Sequence, residues 1–393
     1  MELLFNLEKG KLTITLPKNI DTTNAQDAED AINRIINEHN VFSSLVLDAK
    51  DLEYISSVGL RIVLRLSQTY ENFHVIEVKS AVYEVFEMTG FTDIIDIQKG
   101  LRRVLIDGCP VIGEGFYGRV YRISPDTIVK VYFRGGDISD VQRERKLAKT
   151  AFVLGIPTAI SYDIVKVNEQ GKECFGSVFE LLDCESLRNL IRDNPNDFDK
   201  YVKMHADLVK KINSTLVLSK DLPYAKETTK EWLKVVKHDF EEEDFNKLKE
   251  LIDSIPDSDN MIHGDCHVKN ILVQNNEPIL IDMDTLAKGH QIFDVMAFYL
   301  TYIAYELSEK GNTKKFLDLD CQTCTNLYNG IFNELYGDKD KKEQEEIQYK
   351  IETLAFLLLL YRVNLYYQDD DARRNLCKDK ILHHIKLLDT LAY

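Results

Sequence analysis

The stretch MIHGDCHVKNILVQNNEPILIDMDT, residues 261–285, contains two short apolar runs that are separated by a polar turn. This spacing predicts a β-hairpin, and the outer ends of its two antiparallel strands would lie side by side. The hairpin would place Asn270 next to Asp282, with Asp265 a short loop away. Clustered amide and carboxylate oxygens suit Mg²⁺, which usually enters such a site together with a phosphate. The alternative is a surface hairpin with solvated acids, formed by the same two runs, Ile271–Val273 and Ile279–Ile281.

Length and composition limit the classes of protein to be considered. A chain of 393 residues has room for two or three domains, and 44% hydrophobic residues are typical of a globular protein. The formal charge of −16 argues against nucleic acid and against anionic membrane surfaces as main partners. The N-terminal MELLFNLEKGKLTITLP alternates apolar and polar residues and includes Glu2 and Glu8, unlike a signal peptide. The apolar run IETLAFLLLLYRVNLYY contains charged residues, so it predicts a core helix rather than a membrane span.

The seven cysteines are scattered along the chain, and Cys321 and Cys324 form the only C-x-x-C pair. Because there is no second pair that would complete a zinc site, ordinary reduced thiols are the preferred interpretation. We therefore expect a protein of the reducing cytoplasm.

Hydrophobic periodicity divides the chain into two parts. Up to residue 98, strand-like runs alternate with helical ones, which predicts a small α/β domain over residues 1–98. Residues 102 to about 180 are strand-rich with one clear helix, and residues from about 185 to 393 are mostly helical. This change of pattern predicts a second, α+β domain over residues 102–393, with a boundary near residues 97–103.

In the first part, the stretch LVLDAKDLEYISSVGLRIVL resembles the STAS domains, the anti-sigma factor antagonist family. The resemblance covers roughly residues 1–98 and implies an α/β domain that binds a protein partner or a small ligand. In regulatory members of that family a kinase phosphorylates the serine directly before the Gly-Leu pair, where this chain has Val58. The neighbouring Ser56 and Ser57 either cap the following helix or accept a phosphate at its N-terminus.

In the second part, the stretch VIGEGFYGRVYRI supplies Gly113, Gly115 and Gly118. A dinucleotide-binding fold would need a helix directly after these glycines. The alternating stretches RVYRI and TIVKVYF follow instead, and they predict strands. The glycines would then form a flap between two strands, with a backbone that can approach phosphate groups closely.

Lys130 lies in the middle of the second of these strands, and the helix that follows carries Glu144 on its apolar face. A buried carboxylate is costly without a cation, so we expect Lys130 to pair with Glu144. Ser139 and Gln142 predict a capping box at the start of that helix.

The order of glycine flap, strand lysine, helix glutamate, HGDCHVKNIL and LIDMD resembles the aminoglycoside-phosphotransferase branch of the protein-kinase-like fold. The resemblance implies a bilobal α+β domain over residues 102–393, with an N-lobe at about 102–180 and a C-lobe at about 185–393. It also implies ATP and Mg²⁺ as cofactors. By position, Asp265 would take the proton of the acceptor hydroxyl, and Asn270 and Asp282 would hold Mg²⁺. The residues that would bind the nucleotide are Gly113, Gly115, Gly118, Val120, Lys130, Glu144, Glu180 and Leu182.

The same resemblance gives other polar residues supporting roles. His263 would brace the loop that carries the catalytic aspartate, and Asp294 would brace it too rather than bind the metal. His267 and Lys269 would either touch phosphate or stabilise the loop. Asp284 would be a second metal ligand, a solvated residue or a brace for the hinge.

Two hypotheses about function remain. The first is a small-molecule kinase, because only eleven residues separate Asp282 from Asp294 and protein kinases need a longer segment there to dock peptides. It would transfer the γ-phosphoryl group of ATP to a hydroxyl group of a molecule that acidic residues could bind as a cation. The second is a signalling protein whose kinase-like half binds ATP or phosphorylates a protein partner, with partner switching by the STAS-like domain. The acidic residues that could bind a cationic acceptor under the first hypothesis are Glu185, Glu241, Glu242, Asp369, Asp370 and Asp371.

Overall fold

The computed structural model describes residues 1–115, 118–133, 137–218 and 222–393. These residues form two compact units. The first unit consists of Met1–Asp107 and Ile164–Gly176, and the second of Gly108–Asp163 and Ser177–Tyr393. The first unit is therefore discontinuous in sequence, because it includes a segment from within residues 102–180.

The N-terminal segment of the first unit alternates strands and helices. Its strands are β1 (Phe5–Glu8), β2 (Lys11–Thr15), β3 (Asn19–Ile20), β4 (Ser44–Asp48), β5 (Tyr54–Ile55), β6 (Phe73–Val78) and β7 (Asp96–Lys99). Its helices are α1 (Ala25–Glu38), α2 (Ser57–Thr69) and α3 (Ser80–Met88). Five strands form a sheet in the order β1-β2-β4-β6-β7, in which only the β1–β2 pair is antiparallel. The predicted α/β architecture is confirmed.

Two periodicities build the core of this unit. Leu45, Val46 and Leu47 on β4 are all buried, because a parallel strand is covered on both faces. Helix α1 buries one stripe at helical spacing, namely Ala28, Ala31, Ile32, Ile35 and Ile36.

At the start of α2, the Ser56 hydroxyl accepts the N–H of Gly59 at 3.4 Å, which is the capping role.

The second segment of the first unit pairs with the strand that follows β7. This strand, β8 (Arg102–Val104), runs parallel to β12 (Asp163–Glu169). The Lys166 ammonium lies 2.6 Å from the Glu77 carboxylate, so an ion pair joins the two segments. The next strand, β13 (Lys172–Glu180), begins in the first unit and ends in the second.

The second unit begins with antiparallel strands and one helix. The strands are β9 (Val111–Glu114), β10 (Gly118–Ser124) and β11 (Thr127–Tyr132), and the helix is α4 (Ile138–Val153). The capping box predicted from Ser139 and Gln142 is wrong. Asp137 is the N-cap and forms the box with Asp140, each side chain accepting the other's backbone N–H. An aspartate caps a helix as well as a serine does, so the helix begins earlier than the serine suggested.

The remainder of the second unit is mostly helical. Its helices are α5 (Leu187–Asp193), α6 (Phe198–Ser214), α7 (Ala225–Val236), α8 (Glu242–Asp253), α9 (Ile292–Tyr299), α10 (Tyr305–Ser308), α11 (Asn312–Leu317), α12 (Cys321–Tyr336), α13 (Lys341–Tyr366) and α14 (Asp371–His384). Its short strands are β14 (Glu185–Ser186), β15 (Met261–Ile262), β16 (Ile271–Gln274), β17 (Glu277–Leu280) and β18 (Ala287–Lys288). Strands β16 and β17 form the predicted hairpin, with Ile271 opposite Leu280.

Helix α13 contains the run IETLAFLLLLYRVNLYY except for its last residue, Tyr367, and is the core helix that the sequence predicts. Leu354, Leu357 and Leu360 on it are fully buried. Over the ranges that the structure describes, no helix has both the length and the apolar character needed to cross a bilayer. The seven cysteines all lie within the described ranges, and none of them forms a disulfide bond.

Candidate active site

The outer ends of the β16–β17 hairpin bring polar side chains together. The Ile281 N–H donates to the backbone carbonyl of Asn270 at 3.0 Å, which joins the two ends. The Asn270 side chain donates to the backbone carbonyl of Asp265 at 2.9 Å and to its carboxylate at 3.3 Å. These contacts bring Asp265 and Asn270 into one cluster with Asp282, the residue that follows Ile281.

The Lys130 ammonium lies between two carboxylates. Its Nζ is 2.9 Å from Oε1 of Glu144 and 2.7 Å from Oδ1 of Asp282. Strand β11 supplies the lysine and helix α4 the glutamate, and Glu144 is buried on the apolar face of α4 beside Leu147, Ala148 and Ala151. The structure thus pairs Glu144 with the cation that its burial requires.

The electrostatics of Lys130 and Asp282 depend on each other. Burial alone would lower the pKa of Lys130, but the charges of Asp282 and Glu144 outweigh it and raise this pKa well above its usual range. Burial would likewise raise the pKa of Asp282, and the Lys130 charge lowers it instead. Both groups are therefore ionised at neutral pH.

Asp284 is a further carboxyl group of the cluster, and its charged form is disfavoured there. Burial, followed by repulsion from Asp282 and Glu144, raises its pKa to about 7, against the opposing effect of Lys130. This environment disagrees with a solvated role for Asp284. One lysine does not neutralise the surrounding carboxylates, so the cluster fits an additional cation.

The donors available suit Mg²⁺ rather than a metal that needs a full protein cage. Among the residues described, no three His, Cys, Asp or Glu side chains are close enough to hold a metal ion by themselves. Mg²⁺ is commonly held by one or two carboxylates together with substrate phosphates and water. Asn270 and Asp282 supply a protein contribution of that size.

The backbone of Asp282 adopts the left-handed conformation, with φ 66° and ψ 67°. Aspartate and asparagine enter this region at lower cost than other non-glycine residues. Residues held in such a conformation cluster at functional sites, because the surrounding structure must compensate for the strain. The backbone conformation is thus an indication, separate from the charge, that Asp282 belongs to a functional site.

Asp294, which is fully buried on α9, braces the loop that carries Asp265. Its carboxylate accepts the N–H of Gly264 at 2.6 Å and that of His263 at 3.3 Å. His263 Nδ1 then accepts the N–H of Asp265 at 3.2 Å. These contacts are those of a brace, the role that the family resemblance predicted for His263 and Asp294.

Three further residues hold the same loop and were not found from the sequence. Asn213 donates to Asp294 at 2.6 Å, His205 Nε2 donates to the carbonyl of Cys266 at 2.7 Å, and the Tyr302 hydroxyl accepts the N–H of Val268 at 3.0 Å. His205 and Asn213 belong to the buried face of α6. Their position as polar residues within the apolar stripe of α6 was the feature that could have identified them from the sequence.

The glycines of the flap differ in what the structure requires of them. Gly113 lies opposite Val120 in the β9–β10 pair, and the Gly115 N–H donates to the Gly118 carbonyl at 2.9 Å. A Cβ at Gly118 would lie 2.3 Å from the backbone oxygen of Val131, so only glycine fits there. The flap residues 116 and 117 lie outside the described residues.

The predicted hinge, Glu180 to Leu182, begins at the last residue of β13. The Leu181 N–H donates to the carbonyl of Asp126 at 2.7 Å and is engaged within the protein. Glu180 and Leu182 stay predictions for adenine binding.

His267 and Lys269 both contact one aromatic ring. The His267 ring lies 5.3 Å from the Phe316 ring, and the Lys269 ammonium lies 4.5 Å from it. Of the two roles considered for these residues, the contacts support loop stabilisation.

The buried His205 gives a prediction about pH. Burial lowers its pKa to about 4 from 6.5, so the unfolded chain takes up a proton before the folded one. The stability that neutral His205 contributes is complete above pH 6.5 and is lost as the pH falls toward 4, by up to about 3 kcal/mol. Urea unfolding at pH 7.5, 6, 5 and 4.5 should show this decline, and His205→Gln should make it shallower.

Glutamine is suited to this test because it can still donate to the Cys266 carbonyl but does not titrate. The matched control is His383→Gln, a change at an exposed histidine of the same unit. Equal pH slopes for wild type and His205→Gln would show that another group causes the acid sensitivity.

Both parts of the chain match known families. A family model for the STAS domain matches residues 6–103, and a model for the phosphotransferase enzyme family matches residues 108–310. The chain is also 33% identical over 101 residues to BtrV of Bordetella bronchiseptica, whose name describes an anti-sigma factor antagonist. That match covers 25% of this chain and 85% of BtrV. The predicted STAS-like and kinase-like folds are confirmed.

Solved structures of an aminoglycoside phosphotransferase, APH(4)-Ia, share the fold of the longer part. A thermostable mutant in its apo form has a TM-score of 0.50 at 10% identity, over 71% of this chain and 94% of that one. A further mutant, in ternary complex with AMP-PNP and hygromycin B, has a TM-score of 0.50 at 12% identity, over 70% and 93%. At such identities the likeness concerns the fold alone.

Proposed function

Because this chain belongs to the phosphotransferase enzyme family, we propose that its second unit transfers the γ-phosphoryl group of ATP, with Mg²⁺, to a hydroxyl group of a small molecule. The observation that carries this proposal is the ammonium of Lys130, which lies between the carboxylates of Glu144 and Asp282. A lysine ordered by a helix glutamate is a phosphate-binding element of kinases. The excess of carboxylates around it favours a divalent cation beside the phosphates.

Each residue of the cluster has a separate task in this proposal. Lys130 donates to phosphate oxygens of the nucleotide, and Glu144 orients it. Asn270 and Asp282 would hold Mg²⁺, which when bound neutralises charge on the phosphate oxygens. Asp265 accepts the proton of the acceptor hydroxyl. The oxygen of that hydroxyl bonds to the γ-phosphorus, and the bond from this phosphorus to ADP breaks.

The acceptor is proposed to be a small molecule because of the short segment between Asp282 and Asp294. Two of the acidic residues considered for a cationic acceptor are already paired. Asp370 lies 3.2 Å from Arg373, and Asp371 lies 2.7 Å from Arg374. We therefore do not restrict the acceptor to cations.

Magnesium-dependent binding of ATP is the first test. Calorimetry should show that ATP binds roughly 10-fold or more tightly with Mg²⁺ than with EDTA, because the metal offsets repulsion between the phosphates and the carboxylate cluster. Adenosine is the control, since it has no phosphate and its affinity should not depend on Mg²⁺. If a non-hydrolysable ATP analogue binds no better than adenosine and Mg²⁺ has no influence, the phosphate site is assigned wrongly.

The match to the STAS domain and the similarity to BtrV favour a second function, in the first unit. We propose that this unit binds a protein partner in the cytoplasm and couples phosphotransfer to signalling. Ser56 is engaged as a helix cap and Val58 stands before the Gly-Leu pair, so a phosphorylation switch in this unit would differ from the family's usual one. Incubation with labelled ATP separates the cases, since a signalling kinase labels a protein and a small-molecule kinase labels an added hydroxyl compound.

A further inference from the structure

Tyr132 is a third polar side chain at the Lys130–Glu144 pair. Its hydroxyl donates to Oε2 of Glu144 at 2.9 Å, while Lys130 Nζ lies 2.9 Å from Oε1 of the same carboxylate. The Lys130 ammonium also lies 5.1 Å from the centre of the Tyr132 ring. Residues 130 and 132 are two positions apart on β11, so both side chains project from one face of the strand. A single tyrosine thus contacts both members of the pair.

A serine on the neighbouring strand holds the hydroxyl of Tyr132. Ser177 Oγ, on β13, lies 3.3 Å from it. A tyrosine has one hydroxyl proton and an ionised carboxylate can only accept, so Tyr132 donates to Glu144 and accepts from Ser177. All three residues are buried, and burial raises the pKa of Tyr132 above its usual range. At neutral pH the Tyr132 hydroxyl therefore keeps its proton and donates to Glu144.

We propose that Tyr132 is a positioning residue for phosphoryl transfer, which fixes the Glu144 carboxylate so that one oxygen faces Lys130 and the ammonium stays directed toward the phosphates. This inference rests on the proposed function. Without the Tyr132 hydroxyl, the Glu144 carboxylate can rotate so that both of its oxygens contact the Lys130 ammonium. The ammonium then moves toward α4 and away from Asp282 and the nucleotide.

A purely structural role for Tyr132 is the rival explanation, since its ring is part of the buried interior. The two roles are separable because Tyr132→Phe keeps the ring, its packing and its contact with Lys130, and removes only the hydroxyl. A structural role predicts a lower melting temperature with unchanged nucleotide affinity. A positioning role predicts weaker binding of the phosphates in particular.

The experiment compares binding of Mg-ATP with binding of adenosine to the full chain. Tyr132→Phe should weaken Mg-ATP binding about 10-fold, the loss typical of a hydrogen bond to a charged group. Adenosine affinity should stay within about 2-fold of wild type, because adenosine offers no phosphate to Lys130. The matched control is Tyr336→Phe, which removes a buried hydroxyl bonded to that of Tyr393 at 2.8 Å. It should leave both affinities unchanged.

A double variant tests whether Tyr132 acts through Glu144. On a Glu144→Gln background, Tyr132→Phe should change Mg-ATP affinity by less than about 2-fold, because no carboxylate remains to be positioned. If the effects of Tyr132→Phe and Glu144→Gln on Mg-ATP affinity multiply, the two residues act independently and the proposal is overturned. Wild-type Mg-ATP affinity in Tyr132→Phe would also overturn it.

Ser177→Ala covers the case in which Tyr132→Phe does not fold. It removes the donor to Tyr132 and should weaken Mg-ATP binding while sparing adenosine, to a smaller extent than Tyr132→Phe. Unchanged Mg-ATP affinity in Ser177→Ala, with Tyr132→Phe unfolded, would overturn the proposal. If the wild-type chain itself binds no Mg-ATP, the proposed function fails and this inference with it, a result distinct from failure of the variants alone.

Discussion

Asp282→Asn should abolish the Mg²⁺-dependent gain in ATP affinity, weakening Mg-ATP binding by about 100-fold or more. The estimate is a lower bound, since loss of even an outer-shell partner of a metal ligand costs about 10- to 100-fold. The change removes the carboxylate that lies 2.7 Å from Lys130. Calorimetric titration with Mg-ATP and with ATP in EDTA measures it directly. The two affinities should become nearly equal.

Asparagine is preferred to alanine at this position because of the backbone. With φ at 66°, alanine would add conformational strain to the loss of charge, whereas asparagine tolerates this region. Asp338→Asn, at an exposed site between α12 and α13, is the control for loss of one carboxylate. Retention of a full Mg²⁺ effect in Asp282→Asn would remove Asp282 from the metal site and leave it only the ion pair with Lys130.

Asp265→Asn should lower turnover by about 10²- to 10⁴-fold, the usual contribution of a positioned proton acceptor. Its affinity for Mg-ATP should stay near that of wild type, because the proposed mechanism assigns Asp265 to the acceptor rather than to the nucleotide. Slow hydrolysis of ATP serves as the readout while the acceptor is unidentified. The Asp265 side chain is 39% exposed, so the substitution should change the melting temperature little.

Comparison of stability with activity identifies the role of Asp265. If Asp265 only held the loop, through its contact with the Asn270 amide, melting temperature and activity would fall together. Loss of activity alone supports proton transfer. Full activity in Asp265→Asn would contradict the phosphotransferase mechanism and favour an ATP-binding signalling protein.

The parts of this site that the sequence predicts are those governed by local rules. Strand and helix periodicity place Lys130 and Glu144 on facing surfaces, and the cost of an unpaired buried carboxylate then pairs them. The hairpin follows from two apolar runs and a turn, and its geometry brings Asn270 toward Asp282. Each step uses residues that are close in sequence or a pattern that repeats.

The contacts that the sequence does not reveal are long-range and involve single residues. His205 is 61 residues from Cys266, and Asn213 is 81 residues from Asp294. No periodicity marks such partners, because the packing of α6 against the loop creates them. The same reason hides the pairing of β8 with β12, since a parallel pair can join strands that are far apart in the chain.

The discontinuity of the first unit has a consequence for protein synthesis. On the ribosome, β1 to β7 emerge before β8 and already contain the buried cluster from Leu12 to Ile97. Strand β8 emerges next, but β9, β10, β11 and α4 are translated before its partner β12. At about 5–20 residues per second, β8 waits roughly several seconds with an unpaired edge. A nascent-chain chaperone or a translational pause in that interval would act on an incomplete first unit.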